Sequence, residues 1–320
     1  MTPDKRRFRK ALLAWYDRSQ RDLPWRKNHD AYRVWLSETM LQQTRVGAVI
    51  EHYQQFLKRF PTVEKLAAAW EASVLAAWSG LGYYRRARML HAAARVIVRQ
   101  HAGRFPANAN GLRDLPGIGR YTAAAIASIA FGEPTAVVDG NVERVLQRVR
   151  GKRLAGDEIW RTANDFLEVK RPGDFNQAMM ELGATVCLPR QPKCLTCPVV
   201  EWCATRGELA GAIKPARPSK REIHYALDCR PGGVFLVQRP PDARLMPGMW
   251  ELPESGNERD PATGLQFSLK HSITVTDYTV RVWRECVAKN AAGERFPAKR
   301  LGRLPLTGLA RKILRKAAML

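Results

Sequence analysis

Four cysteines, Cys187, Cys194, Cys197 and Cys203, fall within 17 residues in the spacing C-x6-C-x2-C-x5-C. This run constrains the fold more than any other feature of the chain. Four thiolates in one short loop can close around a single metal centre, and the chain on either side has to bring them together. Zinc and a [4Fe-4S] cluster both accept four sulfurs. Zinc sites often use two close C-x2-C pairs, and this run has one; its uneven spacing suits the larger cubane. Pro189, Pro192 and Pro198 would hold the loop in shape. Cys229 and Cys286 lie outside the run and read as ordinary thiols.

Ahead of the cysteines the sequence reads as helix after helix. Ala87–Gln100 and Tyr121–Phe131 combine strong helix formers with apolar spacing. Turn signals separate such stretches at Phe60-Pro61, Gly80-Leu81-Gly82, Phe105-Pro106 and Leu115-Pro116-Gly117. The texture changes after Cys203. Residues 207–221, with Gly211, Pro215, Pro218 and several basic side chains, read as a linker. Beyond it, Gly233–Gln238 and Ile273–Trp283 are rich in β-branched and aromatic residues and read as strands. The expectation is a mainly α domain over 1–206, the linker 207–221, and a small α+β domain over 222–320. The tail Thr307–Leu320 should form a helix with Arg311, Lys312, Arg315 and Lys316 exposed.

Charge narrows the choice of partner. Lysine and arginine number 53 against 30 acids, a formal net charge of +23, which favours a polyanion: nucleic acid first, an anionic membrane surface second. No apolar run approaches the ~18–20 residues that would span a bilayer. The basic start, Met1–Lys10, leads into no signal-peptide core. An intracellular protein with reduced cysteines follows.

Leu115–Thr122 reads LPGIGRYT and runs into an alanine-rich helix. Gly117 and Gly119, two residues apart before a helix, allow a sharp turn that exposes amide N–H groups at the helix start, which suit a phosphate. Alone, a G-x-G can be a tight helix–helix turn. The leading Leu-Pro and trailing Thr-Ala make it a helix-hairpin-helix signature for sequence-independent backbone binding, in keeping with the charge.

Two carboxylates match a chemical need. Glu38 lies among Leu36, Met40 and Leu41, where a carboxylic acid could have a raised pKa. Asp139 follows a Gly/Pro-containing loop and begins a new helix, where it could be an N-cap and nothing more. Breaking an N-glycosidic bond requires a proton for the leaving base and an anion facing the positive charge that develops on the sugar. Glu38 is assigned as the acid and Asp139 as the anion. Asn141, in the same loop, could hydrogen-bond Asp139 or the sugar.

Together these pieces resemble the endonuclease III-like helix-hairpin-helix glycosylases, and within them the MutY-type adenine DNA glycosylases. The resemblance is carried by RDLPWR (Arg21–Arg26), WLSETMLQQTRV (Trp35–Val46), GLGYYRRAR (Gly80–Arg88), VDGNVERVL (Val138–Leu146) and FNQAMMELG (Phe175–Gly183). It implies a helical barrel module, a [4Fe-4S] module, and base flipping of an adenine paired with 8-oxoguanine or guanine in double-stranded DNA. It also implies roles. Glu38 would protonate the adenine. Gln43 and Tyr83 would push into the base stack. Leu23, Trp25, Arg26 and Gln177 would form the adenine pocket, with Arg21 in the same motif. Superfamily members that also cut the strand place a Schiff-base lysine in the hairpin motif. Tyr121 stands there in this chain, so the resemblance implies a monofunctional enzyme. A monomer in the cytoplasm, associated with the nucleoid if bacterial, is the expected setting.

The C-terminal segment resembles the Nudix-like domain these glycosylases use to sense 8-oxoguanine. The matching parts are Val234–Pro253 and Pro305–Leu314. It carries no R-E-x-x-E-E helix to hold magnesium, so nucleotide pyrophosphohydrolysis is not expected. The family's recognition loop has an aromatic residue, a serine and a histidine; the equivalent positions are Ile273, Thr274 and Val275. Thr274 could still donate a hydrogen bond, and His271 is a possible substitute for the missing histidine.

Overall fold

The computed structural model describes residues 4–209, 219–256, 264–273, 276–287 and 291–320. Helices dominate the first two-thirds: α1 (Lys5–Ser19), α2 (Ala31–Leu41), α3 (Val46–Arg59), α4 (Val63–Ala67), α5 (Glu71–Trp78) and α6 (Arg85–His101). They continue with α7 (Ala109–Arg113), α8 (Arg120–Phe131), α9 (Gly140–Arg150), α10 (Gly156–Phe166) and α11 (Pro172–Thr185). Local chemistry sets many of the ends. Asp4 and Asp30 accept from the third backbone N–H of α1 and α2, as N-caps do. Gly132 and Gly151 close α8 and α9 in the left-handed conformation. Pro172 occupies the first turn of α11, where its missing N–H costs nothing.

The chain packs as two compact units, Met1–Ala67 with Ala92–Ile213, and Ala68–His91 with Lys214–Leu320. In the first, α1, α9, α10 and α11 close around Phe8, Leu12, Val145, Leu146, Phe166, Phe175 and Leu182. Phe8 meets Phe166 edge-on at 5.0 Å. Glycines let α11 approach its neighbours closely. A Cβ on Gly173 would lie 2.7 Å from the Ser128 carbonyl oxygen of α8, and one on Gly183 would lie 2.5 Å from the Cβ of Asn141 on α9.

The second unit holds two small sheets. In one, β1 (Ser219–Leu227) runs parallel to β6 (Thr276–Arg284), which pairs antiparallel with β5 (Leu265–Ile273). In the other, β3 (Gly233–Gln238) lies between β2 (Cys229–Arg230) and β4 (Trp250–Glu251), and β7 (Glu294–Phe296) also pairs with β3. Two helices follow, α12 (Ala298–Leu301) and α13 (Gly308–Lys316). The core is Tyr225, Leu227, Val234, Leu236, Val280, Val282, Ile313 and Leu314. The fold is thus mainly α with a small sheet-containing C-terminal region, as expected.

Three sequence readings need correction. Ile273–Trp283, read as one strand, is the end of β5 and most of β6, joined through positions outside the described residues. Ser219–Arg221, assigned to the linker, already belong to β1. Arg311 of α13 is half-buried rather than exposed. Thr274 lies outside the described residues. No helix among the described residues is long and apolar enough to cross a membrane.

Candidate active site

Glu38 sits in the middle of α2, between Leu36 and Met40, and is only 5% exposed. Its Oε2 accepts a hydrogen bond of 2.5 Å from the hydroxyl of Tyr121, the second residue of α8. Burial pushes the Glu38 carboxyl from the ordinary 4.5 up to about 7. The Tyr121 hydrogen bond pulls the other way, the negative charge of Asp139 adds to the rise, and Arg26 opposes it. Near neutral pH, Glu38 is therefore protonated in a substantial fraction of molecules, as a general acid must be. Burial, reinforced by the neighbouring carboxylate of Glu38, holds the Tyr121 phenol well above its usual range. It remains a hydrogen-bond donor.

Asp139 takes the capping role that the sequence allowed, and its charge also bears on Glu38. It is the N-cap of α9: Oδ1 accepts from the backbone N–H of Asn141 at 2.9 Å and of Val142 at 2.8 Å. Its Oδ2 accepts from the Asn141 side-chain amide at 2.8 Å. Three donors fix its orientation, and its charge is one of those acting on Glu38. The amide oxygen of Asn141 accepts in turn from Arg144, which also donates to the Gly183 and Cys187 carbonyls. Of the two partners the sequence suggested for Asn141, the structure shows Asp139.

A residue that sequence reasoning missed completes this region. Glu181 of α11 is 2% exposed and is gripped by two guanidiniums. Arg21 bonds both of its oxygens at 2.6 and 2.8 Å, and Arg26 bonds Oε2 at 2.8 Å. Burial opposes its ionisation, but the hydrogen bonds and charges of Arg21 and Arg26 outweigh that and hold the carboxyl below its usual range. Leu23 and Trp25 are buried in the same short segment, and Trp25 meets Tyr53 edge-on at 5.5 Å. Gln177 is half-buried on α11, one turn before Glu181 and on the same face. The signal available in the sequence was a lone acid within the apolar stretch Phe175–Leu182, and two arginines in RDLPWR needing a counter-charge.

The remaining predicted residues fall as follows. Gly117 takes a left-handed φ of 73° between α7 and α8, and Gly119 is the N-cap of α8, without a side chain to cap the first amides. Gln43 is exposed with φ 56°, and Tyr83 is 45% exposed with φ 48°. Such left-handed conformations are unfavourable for these residue types and persist only where the surroundings impose them. His271 lies on β5 opposite Tyr278; burial and the charge of Lys312 hold its imidazole below the ordinary value.

Cys187, Cys194, Cys197 and Cys203 line one pocket that opens to solvent, together with Arg148 and Arg206. Arg148 donates to the Cys187 sulfur at 3.3 Å, and the Arg206 backbone N–H donates to the Cys203 sulfur at 3.4 Å. Arg148 is itself buried and also holds the Leu188 and Pro189 carbonyls at 2.7 and 2.9 Å. The four thiols line one pocket with positive and N–H donor groups around it, although among the described residues no three His, Cys, Asp or Glu side chains are arranged to hold a metal ion.

Residues 36–165 match the HhH-GPD superfamily of base excision DNA repair proteins. The adenine DNA glycosylase of Schizosaccharomyces pombe is 40% identical over 327 residues, which cover 80% of this chain and 71% of that protein. The chain belongs to the adenine DNA glycosylase family. The human adenine DNA glycosylase is 40% identical over 77% of this chain, and the mouse protein 42% over the same share. The chain spans 57% and 60% of the lengths of these two relatives. Among solved structures, a thermostable thymine-DNA glycosylase matches with a TM-score of 0.60 at 31% identity, over 63% of this chain and 96% of its own. An endonuclease III–DNA complex, at 22% identity and TM-score 0.55, shares the fold.

Proposed function

We propose that this member of the adenine DNA glycosylase family hydrolyses the N-glycosidic bond of adenine paired with 8-oxoguanine or guanine, as a monofunctional base-excision repair enzyme. The observation that carries the reading is Glu38: a buried carboxyl raised to about 7 and oriented by Tyr121, with Asp139 close enough to act on its charge. With the Tyr121 hydroxyl donating to Oε2, the proton resides on Oε1, free to pass to a ring nitrogen of the departing base. Asp139, anchored by three N–H donors, supplies the anion opposite the oxocarbenium character of the sugar. The phenol at position 121 offers no amine to form a Schiff base, which supports hydrolysis without strand cutting.

The segment Arg21–Arg26 and Glu181 form a charged, partly buried wall suited to a planar base with both donors and acceptors on its edge. The amides at the start of α8 would take a backbone phosphate. Cys187, Cys194, Cys197 and Cys203 would hold the [4Fe-4S] cluster, which would supply a rigid electrostatic support for the loop. In the C-terminal unit, the Nudix-like segment would sense the opposite base.

Single-turnover base release tests the proposal. The duplexes carry A opposite 8-oxoguanine, G or T, and T opposite G as the alternative suggested by the thymine-DNA glycosylase likeness. Fast release of adenine opposite 8-oxoguanine, slower release opposite G and none opposite T are expected. Glu38→Gln and Asp139→Asn should lose the activity. Release of thymine in place of adenine would overturn the substrate assignment.

A further inference from the structure

We infer that the segment Leu306–Arg311 braces the turn that carries Tyr83, making Ser79, Tyr84 and Arg311 positioning residues for the DNA-facing wedge. The inference rests on the glycosylase reading, which gives Tyr83 its place in the base stack.

The turn between α5 and α6 is unusual. Gly80, Gly82 and Tyr83 all take positive φ, at 111°, 71° and 48°. A tyrosine does not hold that conformation unaided. Part of the support is local: the Trp78 indole donates to the Gly82 carbonyl at 3.1 Å, and Arg86 donates to the Leu81 and Gly82 carbonyls at 3.3 Å each. The Arg86 guanidinium also lies over the rings of Trp78 and Tyr83, 5.4 Å from each centroid.

The rest comes from more than 200 residues further along the chain. The Leu306 carbonyl accepts from the Ser79 hydroxyl at 2.7 Å and from the Tyr84 hydroxyl at 3.0 Å. These two residues flank the turn on either side. Arg311 of α13 donates from Nε to the Ser79 hydroxyl at 2.9 Å. Ser79 and Tyr84 are both buried, so these bonds form away from competing water. Leu306–Arg311 is itself anchored. The Thr307 N–H bonds the Trp250 carbonyl of β4 at 2.9 Å, and the Thr307 side chain caps α13 at the Ala310 N–H. One turn into α6, Arg88 adds a 2.6 Å bond to the Pro247 carbonyl. The turn is thus clamped at both ends by the C-terminal sheet and helix, while the Tyr83 ring remains 45% exposed. The half-buried position of Arg311, beside the exposed Lys312, Arg315 and Lys316 of α13, has its explanation here.

Two measurements on the full-length holoprotein test the brace, with Arg311→Met and the milder Tyr84→Phe. In the free protein, hydrogen exchange at the Leu81–Tyr84 amides should rise about tenfold in Arg311→Met and less in Tyr84→Phe, with global melting little changed. Unchanged exchange there overturns the proposal. On DNA, 2-aminopurine stacked beside the A:8-oxoguanine pair reports unstacking by the wedge. Arg311→Met should reduce that signal at least about fivefold and add nothing further in a Tyr83→Ala background, as a residue acting through Tyr83 must. Independent effects of the two substitutions overturn it. If Arg311→Met does not fold, Tyr84→Phe, which removes one hydroxyl, decides both measurements. Wild-type protein that releases no base would sink the glycosylase reading, while the exchange measurement still decides the brace.

Discussion

Replacing Glu38 by Gln should stabilise the protein, and by an amount that depends on pH in a specific direction. The folded chain holds this carboxyl at about 7, against an ordinary 4.5. Below 4.5 both folded and unfolded chains are protonated, and ionisation makes no difference. Between 4.5 and 7 the unfolded chain releases its proton while the folded chain keeps it, so stability falls as pH rises. Above 7 the folded chain carries a buried charge. At about 1.4 kcal/mol per pH unit, the full penalty amounts to about 3 kcal/mol, of which about 2 kcal/mol develops between about pH 5.5 and pH 8.5. Gln has the same shape, keeps an oxygen to accept from Tyr121, and does not titrate. Any fixed cost of its amide cancels when the variant and parent are compared across pH. The Tm of the helical unit, followed by calorimetry, should therefore be higher in Glu38→Gln by an amount that grows by roughly 4–8 °C over that range. A difference that stays constant with pH would mean that Glu38 ionises at its ordinary value. It would then be no acid at neutral pH, and the catalytic assignment would lose its basis.

Other expectations follow from the same geometry. Tyr121→Phe removes the hydrogen bond that favours the Glu38 anion, so the alkaline fall in single-turnover base release should move to higher pH. A shift to lower pH would contradict the donor role of the phenol. Cys197→Ser should lose iron and the brown absorbance, read by metal analysis and visible spectra; stoichiometric zinc in the parent protein would refute the cluster. Gly183→Ala would place a methyl 2.5 Å from the Asn141 Cβ, and α11 and α9 would have to separate. A loss of about 1–3 kcal/mol in urea unfolding is expected. Full stability would mean that the two helices are not held at this distance.

The sequence was readable where a local pattern carries the chemistry. The four cysteines share one pocket, Gly119 is the N-cap of α8, Glu38 is buried and Asp139 caps α9, and each of these placements was signalled by its immediate neighbours. Asp139 binds only the two residues after it, so its capping was legible from order alone. Glu181 was not, because its meaning lies in Arg21 and Arg26, some 155 to 160 residues away. On α11 alone it resembles any helix acid. Arg311 failed for the same reason. Leu309, Ala310, Ile313 and Leu314 define the buried face of α13, and Arg311 stands at its border, where only the distant Ser79 decides which way it goes. Ile273–Trp283 misled in another way: β-branched residues run from the end of β5 into β6, and no glycine or proline in the sequence marks the break.

Position 121 joins two parts of the reading that the sequence presents separately. Tyr121 is the second residue of α8, directly after Gly119 and Arg120, so its hydroxyl is carried by the helix whose first amides would take the phosphate. A helix of 12 residues moves as a stiff rod, with a rise of about 1.5 Å per residue. Its N-terminus cannot shift onto a phosphate without shifting the phenol that orients Glu38. The acid and the proposed backbone grip are therefore carried by one helix. A displacement of even half an ångström at the Tyr121 hydroxyl would lengthen a 2.5 Å bond past its strong range and change how firmly Glu38 keeps its proton. Binding of undamaged DNA at the hairpin alone, measured as a change in the pH at which Glu38 titrates, is the direct expression of that coupling. An unchanged titration in saturating non-specific duplex would separate the grip from the acid.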